Sequence, residues 1–348
     1  MKQLSAAFLL IFVYTAAAWS QTGKPSSTAD LASYTGPDRE RLLLEGAKKE
    51  GKLVWYTTLA AEQNKQIANT FEAKYSGIKV ETFRSGSSAL VQRLLNEAQA
   101  GRHIVDAIET TLPGLLSFRE NQLLLAYTSP YLAAFPEESK EKGPSNRVYW
   151  TIDRESYIGF GYNKNLLSAS DVPKNFDGLS KASLRDKLGL SGDDTGARSI
   201  GAMVKVKGEE FVKRLKEQNI KAYMMAGSAL TQLVASGEVP ASPSQFYSAT
   251  HVAAKKGAPV VWVPMDINVV GAGGIAVYAN AQRPHSALLF ADFLISPQGQ
   301  KLLEDLYFGS AQKDYGFKRW YPEKEGTLAQ YEQALEKWHN LLKEITRK

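Results

Sequence analysis

The chain has no cysteine, and that absence removes several classes of function at once. Without thiols there is no disulfide, no cysteine nucleophile and no thiolate metal site. A lipid anchor at a secretory cleavage site is excluded too, because its attachment needs a cysteine. Histidine is scarce: His103, His251, His285 and His339 are widely spaced and form no zinc motif. No G-x-S-x-G, P-loop or paired-carboxylate motif points to an enzyme. The net charge is only +6, with lysine and arginine spread along the chain. The basic stripe that nucleic-acid binding requires is therefore missing. A long apolar run occurs once, near the start, and there is no internal repeat or low-complexity tract.

What is present is ordinary for a soluble globular protein: 44% hydrophobic and 22% charged residues in 348, enough for two domains and a sizeable core. The mild positive balance favours an anionic ligand. Residues 1–20 read as a secretory signal peptide, with Lys2, an apolar run from Leu4 to Ala18, and Ala18 and Ser20 at the small-residue positions of a cut before Gln21. The run is short for a membrane span. The expected compartment is the periplasm, with no direct membrane anchor. Residues 21–37 are polar and read as a flexible segment.

From Asp38 onward strands and helices alternate. Asp38 to Glu50 reads as a helix stopped by Gly51, Leu53 to Leu59 as a buried strand, Ala61 to Tyr75 as a helix stopped by Gly77, and Ile78 to Phe83 as a second strand. Arg84-Ser85-Gly86-Ser87-Ser88 precedes another helix, with one serine expected as its cap. Ile104 to Glu109 is a third strand, running into Thr110-Thr111. This alternation predicts an α/β fold with a parallel sheet, whose ligands bind beyond the carboxyl ends of the strands. Candidate ligand-binding residues there are Thr57, Thr58, Arg84, Ser85, Ser87, Ser88, Glu109 and Thr110. The helix start after Gly86 offers free N–H donors and a partial positive charge, suited to phosphate, sulfate or carboxylate.

Later, Arg198, Ser199, Ser228 and Tyr247 sit at predicted strand-to-helix junctions and are candidates of the same kind. Ile275 to Tyr278 reads as a strand, and Ser296-Pro297 as the cap and first position of a helix. Gly271 to Ala276 fits G-x-G-x-x-A, but its glycines precede a strand rather than open a helix, so no dinucleotide site is expected. Leu328, Tyr331, Leu335, Trp338, Leu342 and Ile345 repeat at three-four spacing in a final amphipathic helix.

Several stretches, "GAKKEGKLVWYTTL", "FRSGSSALVQRLLNEAQAG", "DAIETTLPGLLSF", "KGAPVVWVPMD" and "RPHSALLFADFLISPQGQKLL", resemble the bacterial extracellular solute-binding proteins that serve ABC importers. The similarity lies with the branch holding ferric-iron, phosphonate, thiamine and sugar-phosphate binders, and it covers nearly all the chain after Asp38. It implies a two-lobed periplasmic binding protein of type 2 with the ligand cleft between the lobes. Residues 38–150 and 266–348 would form the first lobe and residues 151–265 the second; the amphipathic spacing of the final helix predicts packing on the first lobe, with a dimer seam as the alternative. It implies non-catalytic capture of a small, anionic solute by a monomer and delivery to an inner-membrane permease, with no cofactor. Ferric members use two adjacent tyrosines, a histidine and an acid. Here Gln245-Phe246-Tyr247 keeps one tyrosine, and Tyr56-Thr57-Thr58 has no histidine. Glu109 and Tyr247 are left as iron ligands if ferric iron is the cargo. A secreted hydrolase on the same architecture and a receptor feeding a sensor are the other readings.

Overall fold

The computed structural model of the chain describes residues 27–225 and 227–347, without the side chain of Ser228. The expected signal peptide lies outside the described residues.

The first helix is a correction. Within the stretch expected to be flexible, α1 (Thr28–Ser33) opens on a capping box, in which Ser27 Oγ accepts from the Asp30 N–H and the Asp30 carboxylate accepts from the Ser27 N–H. Its Leu31 and Ala32 are buried. Two apolar residues in a polar stretch are enough to dock a short helix once a cap is present. Next, α2 (Arg39–Glu50) ends at Gly51, whose φ of 71° is the left-handed conformation that glycine supplies cheaply. Arg39 donates to the carbonyls of Leu31 and Tyr34 and pairs with Asp292, tying both helices to the body of the protein.

Then β1 (Lys52–Thr57), α3 (Ala61–Lys74), β2 (Lys79–Arg84), α4 (Ser87–Gln99), β3 (Ala107–Thr111) and α5 (Leu112–Glu120) follow as strand–helix pairs. β1 is parallel to both β2 and β3, so all three strands end on one edge of the sheet. Short strands β4 (Leu124–Leu125) and β5 (Lys140–Lys142) lead to β6 (Val148–Asn163), the longest strand. After it come β7 (Gly189–Ser191), α6 (Asp194–Lys207), α7 (Glu209–Arg214), β8 (Ile220–Tyr223), α8 (Gly227–Ser236), β9 (Ala241–Phe246), α9 (Tyr247–Lys255) and β10 (Val260–Val263). The chain returns through β11 (Asn268–Tyr278), α10 (Pro284–Ile295) and α11 (Pro297–Asp305), and closes with β12 (Arg319–Trp320), α12 (Leu328–Ile345) and β13 (Thr346–Arg347).

The main sheet runs β10-β6-β11-β3-β1-β2. β6 and β11 are the crossing strands. The first half of β6 pairs with β11, and its second half with β9 and β10, so one strand belongs to both lobes. Their register shifts where Arg154 faces Gly273 but Ile152 faces Gly274, leaving Asp153 as the extra residue of a bulge.

Each lobe has its own core. The first gathers Trp55, Phe71, Phe290 and Phe293 in tilted and edge-on ring contacts between β1, α3 and α10. The second gathers Phe160, Leu190, Ile200 and Met203. The final helix joins this second core, which corrects the expectation that it packs on the first lobe. Tyr331, Trp338, Leu341, Leu342 and Ile345 lie in it beside α6 and α7, and β13 adds to β8. Amphipathic spacing fixes that a face is buried, not against what. Gly201 makes the close approach possible, because a Cβ there would lie 2.6 Å from the Trp338 ring. Trp338→Ala should therefore cost about 3–5 kcal/mol, read as a lower urea midpoint. A loss under about 1 kcal/mol would mean that α12 is not part of the second core.

Candidate functional site

Because β1, β2 and β3 end on one edge, helices α3, α4 and α5 all start there. The first N–H groups of a helix have no intrahelical partner. At α4 the cap residue is Gly86, and no side chain satisfies those donors. The expected serine cap is thus absent. Ser87 is the first helical residue, and its Oγ lies 2.9 Å from Thr111 Oγ1 and 3.4 Å from Thr110 Oγ1. Thr111 caps α5 through its backbone only. Two helix starts therefore lie side by side, joined by hydroxyls; α4 has its first N–H donors left over, while Pro113 removes one from α5. A Cβ on Gly86 would meet nothing within 4 Å, so the space before it is open. Ser88 is exposed at the same turn, and Ser85 continues the β1–β2 ladder by donating its N–H to the Thr57 carbonyl. Arg84 is exposed, and its Nε donates to the Leu59 carbonyl at 3.3 Å, bracing the loop after β1.

Glu109 is fully buried at the end of β3. One oxygen accepts from Thr57 Oγ1 at 2.7 Å, and the other from Arg154 Nε at 2.7 Å. Arg154 Nη2 reaches Thr58 Oγ1 at 3.3 Å, and the guanidinium lies 5.2 Å from the centre of the Phe308 ring. A Cβ on Gly273 would lie 2.6 Å from both Arg154 Cζ and Glu109 Oε1, so only glycine leaves room for the pair. Sequence reasoning missed Arg154. Its signal was there: Asp153-Arg154-Glu155 are three consecutive charges inside a long, otherwise uncharged strand.

Those neighbours have separate partners. Glu155 accepts from Tyr157 Oη at 2.6 Å, from Arg319 Nη1 at 2.9 Å and from the Tyr321 hydroxyl, fastening β12 and the residue after it to the crossing strand. Burial, and then the Glu155 charge, push both phenols well above their usual range. Asp153 is buried with no side chain hydrogen-bonded to either oxygen. Burial first, and then the Glu109 charge, hold its carboxyl well above the ordinary value.

The second lobe departs further from expectation. α6 begins at Asp194 with Asp193 as its cap, so Arg198 and Ser199 lie inside the helix rather than at its start. Both are framework residues. Arg198 donates to the Val270 carbonyl and pairs with Glu323, and Ser199 Oγ donates to the Pro243 carbonyl at 2.7 Å. The Ser228 side chain lies outside the described residues. Tyr247 opens α9, half-buried, with ring centres 3.9 Å from His251, 5.3 Å from Trp262 and 6.0 Å from Tyr157. Sequence reasoning also passed over Asp193. Its carboxylate accepts from Ser191 Oγ (2.8 Å), the Thr195 N–H (2.9 Å), Thr195 Oγ1 (3.3 Å) and the Gly227 N–H at the start of α8 (3.3 Å).

For a metal, the arrangement offers little. Both Glu109 oxygens are engaged, and among the described residues no group of three or more His, Asp or Glu is placed to hold an ion.

A family model described as bacterial extracellular solute-binding protein matches residues 66–326. This chain belongs to that family. Solved structures share its fold. Iron-bound HitA of Pseudomonas aeruginosa is 20% identical, with a TM-score of 0.64 over 84% of this chain and 98% of that one. AfuA of Actinobacillus pleuropneumoniae, holding fructose 6-phosphate, is 21% identical, with a TM-score of 0.65 over 84% and 99%. A substrate-binding protein of an ABC transporter from Agrobacterium tumefaciens is 15% identical, with a TM-score of 0.70 over 86% and 96%. At these identities the likeness is one of fold, that of the two-lobed periplasmic binding proteins. No helix among the described residues is long and apolar enough to cross a membrane.

In this solute-binding protein the buried Asp153 gives a pH test. Its folded-state carboxyl titrates above the unfolded value of about 3.9, so its cost is absent below that value and grows as pH rises through the folded one. Asp153→Asn should raise the melting temperature at neutral pH, with the gain vanishing near about pH 3.5. A gain independent of pH would contradict the charge explanation.

Proposed function

We propose that this solute-binding protein is the periplasmic receptor of an ABC importer and captures a small anionic solute between its lobes. One observation carries the reading: the adjacent, uncapped starts of α4 and α5 at the open crevice edge, with the Arg154 guanidinium nearby on the crossing strand. Backbone N–H groups of Ser87, Ser88 and Ala89 and the hydroxyls of Thr58 and Ser88 bind phosphate, phosphonate or carboxylate oxygens there. The lobes close about β6 and β11, exclude water, and present the loaded form to an inner-membrane permease. A sugar phosphate in AfuA and iron in HitA are two ligands held on this fold, the first of them an anion. Ferric cargo is the second reading. It would use Tyr247 and would have to draw Glu109 away from Arg154. Hydrolysis lacks support in the geometry, since Ser87 Oγ faces threonine hydroxyls rather than a base.

The test is thermal unfolding of protein lacking residues 1–20 and stripped of bound solute. The panel holds phosphate esters, phosphonates, carboxylates, and ferric iron with and without citrate. A ligand at about 100 times its dissociation constant adds about 2.7 kcal/mol of stability. Ser87→Pro removes one N–H while suiting a first helical position, and should weaken an anion about tenfold or more. Ser87→Ala, which keeps the N–H, should cost less. Stabilisation by iron alone, with a tyrosinate colour lost in Tyr247→Phe, would overturn the anion reading.

A further inference from the structure

The turn after α11 brings one aromatic ring onto the arginine of the crossing strand. α11 ends at Asp305, and the N–H groups of Tyr307 and Phe308 donate back to the carbonyls of Glu304 (2.8 Å) and Leu303 (3.0 Å). This is the Schellman arrangement, which ordinarily places a glycine where Tyr307 stands. Tyr307 has a φ of 65°, in the left-handed region that a bulky side chain enters at a cost. Such strain persists only where surrounding contacts hold it. Two contacts flank Phe308. The Tyr307 ring lies under Lys255 Nζ of α9, 4.9 Å from the ring centre. Gly309 is clamped to Glu155 in both directions. Its N–H donates to the Glu155 carbonyl at 2.8 Å, and its carbonyl accepts from the Glu155 N–H at 2.9 Å. Phe308 is held between these points, and its half-buried ring lies under the guanidinium of Arg154, the residue before Glu155, with Cζ 5.2 Å from the ring centre.

A guanidinium carries all its N–H donors on its rim and none on its faces. In Arg154 the Nε donor goes to Glu109 and an Nη2 donor to Thr58. Nη1 has no acceptor among the described residues, although the side chain is only 8% exposed. Its partner Glu109 stands two residues along β3 from Thr111, whose hydroxyl meets Ser87 at the start of α4. A buried arginine with rim donors to spare at that edge is suited to an oxyanion. The Phe308 ring covers the guanidinium and attracts it through its quadrupole, yet takes none of those donors. A carboxylate or carbonyl in the same place would use one up.

We propose that Phe308 is a positioning residue for the captured anion. It holds Arg154 in the plane that keeps Glu109 and Thr58 on two rim donors and presents the Nη1 side to the solute. The proposal rests on the anion reading above, and its effect on Arg154 itself is measurable without a ligand.

The experiment uses the two-lobed protein lacking residues 1–20, labelled with ¹⁵N-arginine, and inorganic phosphate as the probe. The Arg154 side-chain signals are identified by their loss in Arg154→Lys. In the wild type they should shift saturably with phosphate. Exchange between Nη1 and Nη2, which requires rotation about the Nε–Cζ bond, should be slow. Phe308→Leu keeps an apolar side chain without the ring face. It should bind phosphate about three- to tenfold more weakly and show faster Nη exchange. Phe308→Tyr keeps the ring and should stay within about twofold of the wild type. A lower melting temperature in Phe308→Leu, with the dissociation constant and the Nη exchange both unchanged, would mean that the ring only packs, and overturns the proposal. A tyrosine variant as impaired as the leucine one overturns it too. Absence of any phosphate response in the wild type sinks the anion reading. Faster Nη exchange in Phe308→Leu would then still support Phe308 as the residue that fixes Arg154, and unchanged exchange would overturn that as well.

Discussion

The structure turns on the buried pair of Glu109 and Arg154. It joins the end of a first-lobe strand to the strand that crosses into the second lobe. Burying two charges is expensive, and their attraction offsets the cost only when the remaining hydrogen-bonding capacity is used. Here Thr57 fills the second Glu109 oxygen and Thr58 takes an Arg154 donor, while Gly273 leaves the room. The pair sets where the crossing strand sits relative to the first-lobe edge, and hence where the uncapped starts of α4 and α5 stand in the crevice. It also leaves an Arg154 donor on Thr58, next to the place proposed for the anion.

A second carboxylate system complements it. Glu155, on the other face of the same strand, gathers Tyr157, Arg319 and Tyr321. β12 and the residue after it are thereby fixed to the crossing strand.

The strand–helix alternation was legible because its punctuation is strong. Gly51 and the Ser296-Pro297 restart lie where the sequence places them. The serine loop was legible as a helix start, although the cap proved to be Gly86, because a serine can cap only from the position before the first turn. The second lobe was harder. The capping Asp193 was not recognised, so Arg198 and Ser199, a turn further on, looked like junction residues. Arg154 was missed for a different reason: three consecutive charges in one strand marked the place, but its partner is 45 positions away and only the fold identifies it. The docking of α12 depends on a hollow at Gly201 that no periodicity reveals.

The most direct test of the account is a crystal structure of the protein purified without stripping, so that it keeps the solute it has captured. The account predicts an anionic group about 3 Å from the Ser88 or Ala89 N–H and from an Arg154 Nη, with the Glu109–Arg154 pair intact. A ligand or metal held by Tyr247 and a Glu109 released from Arg154 would contradict it.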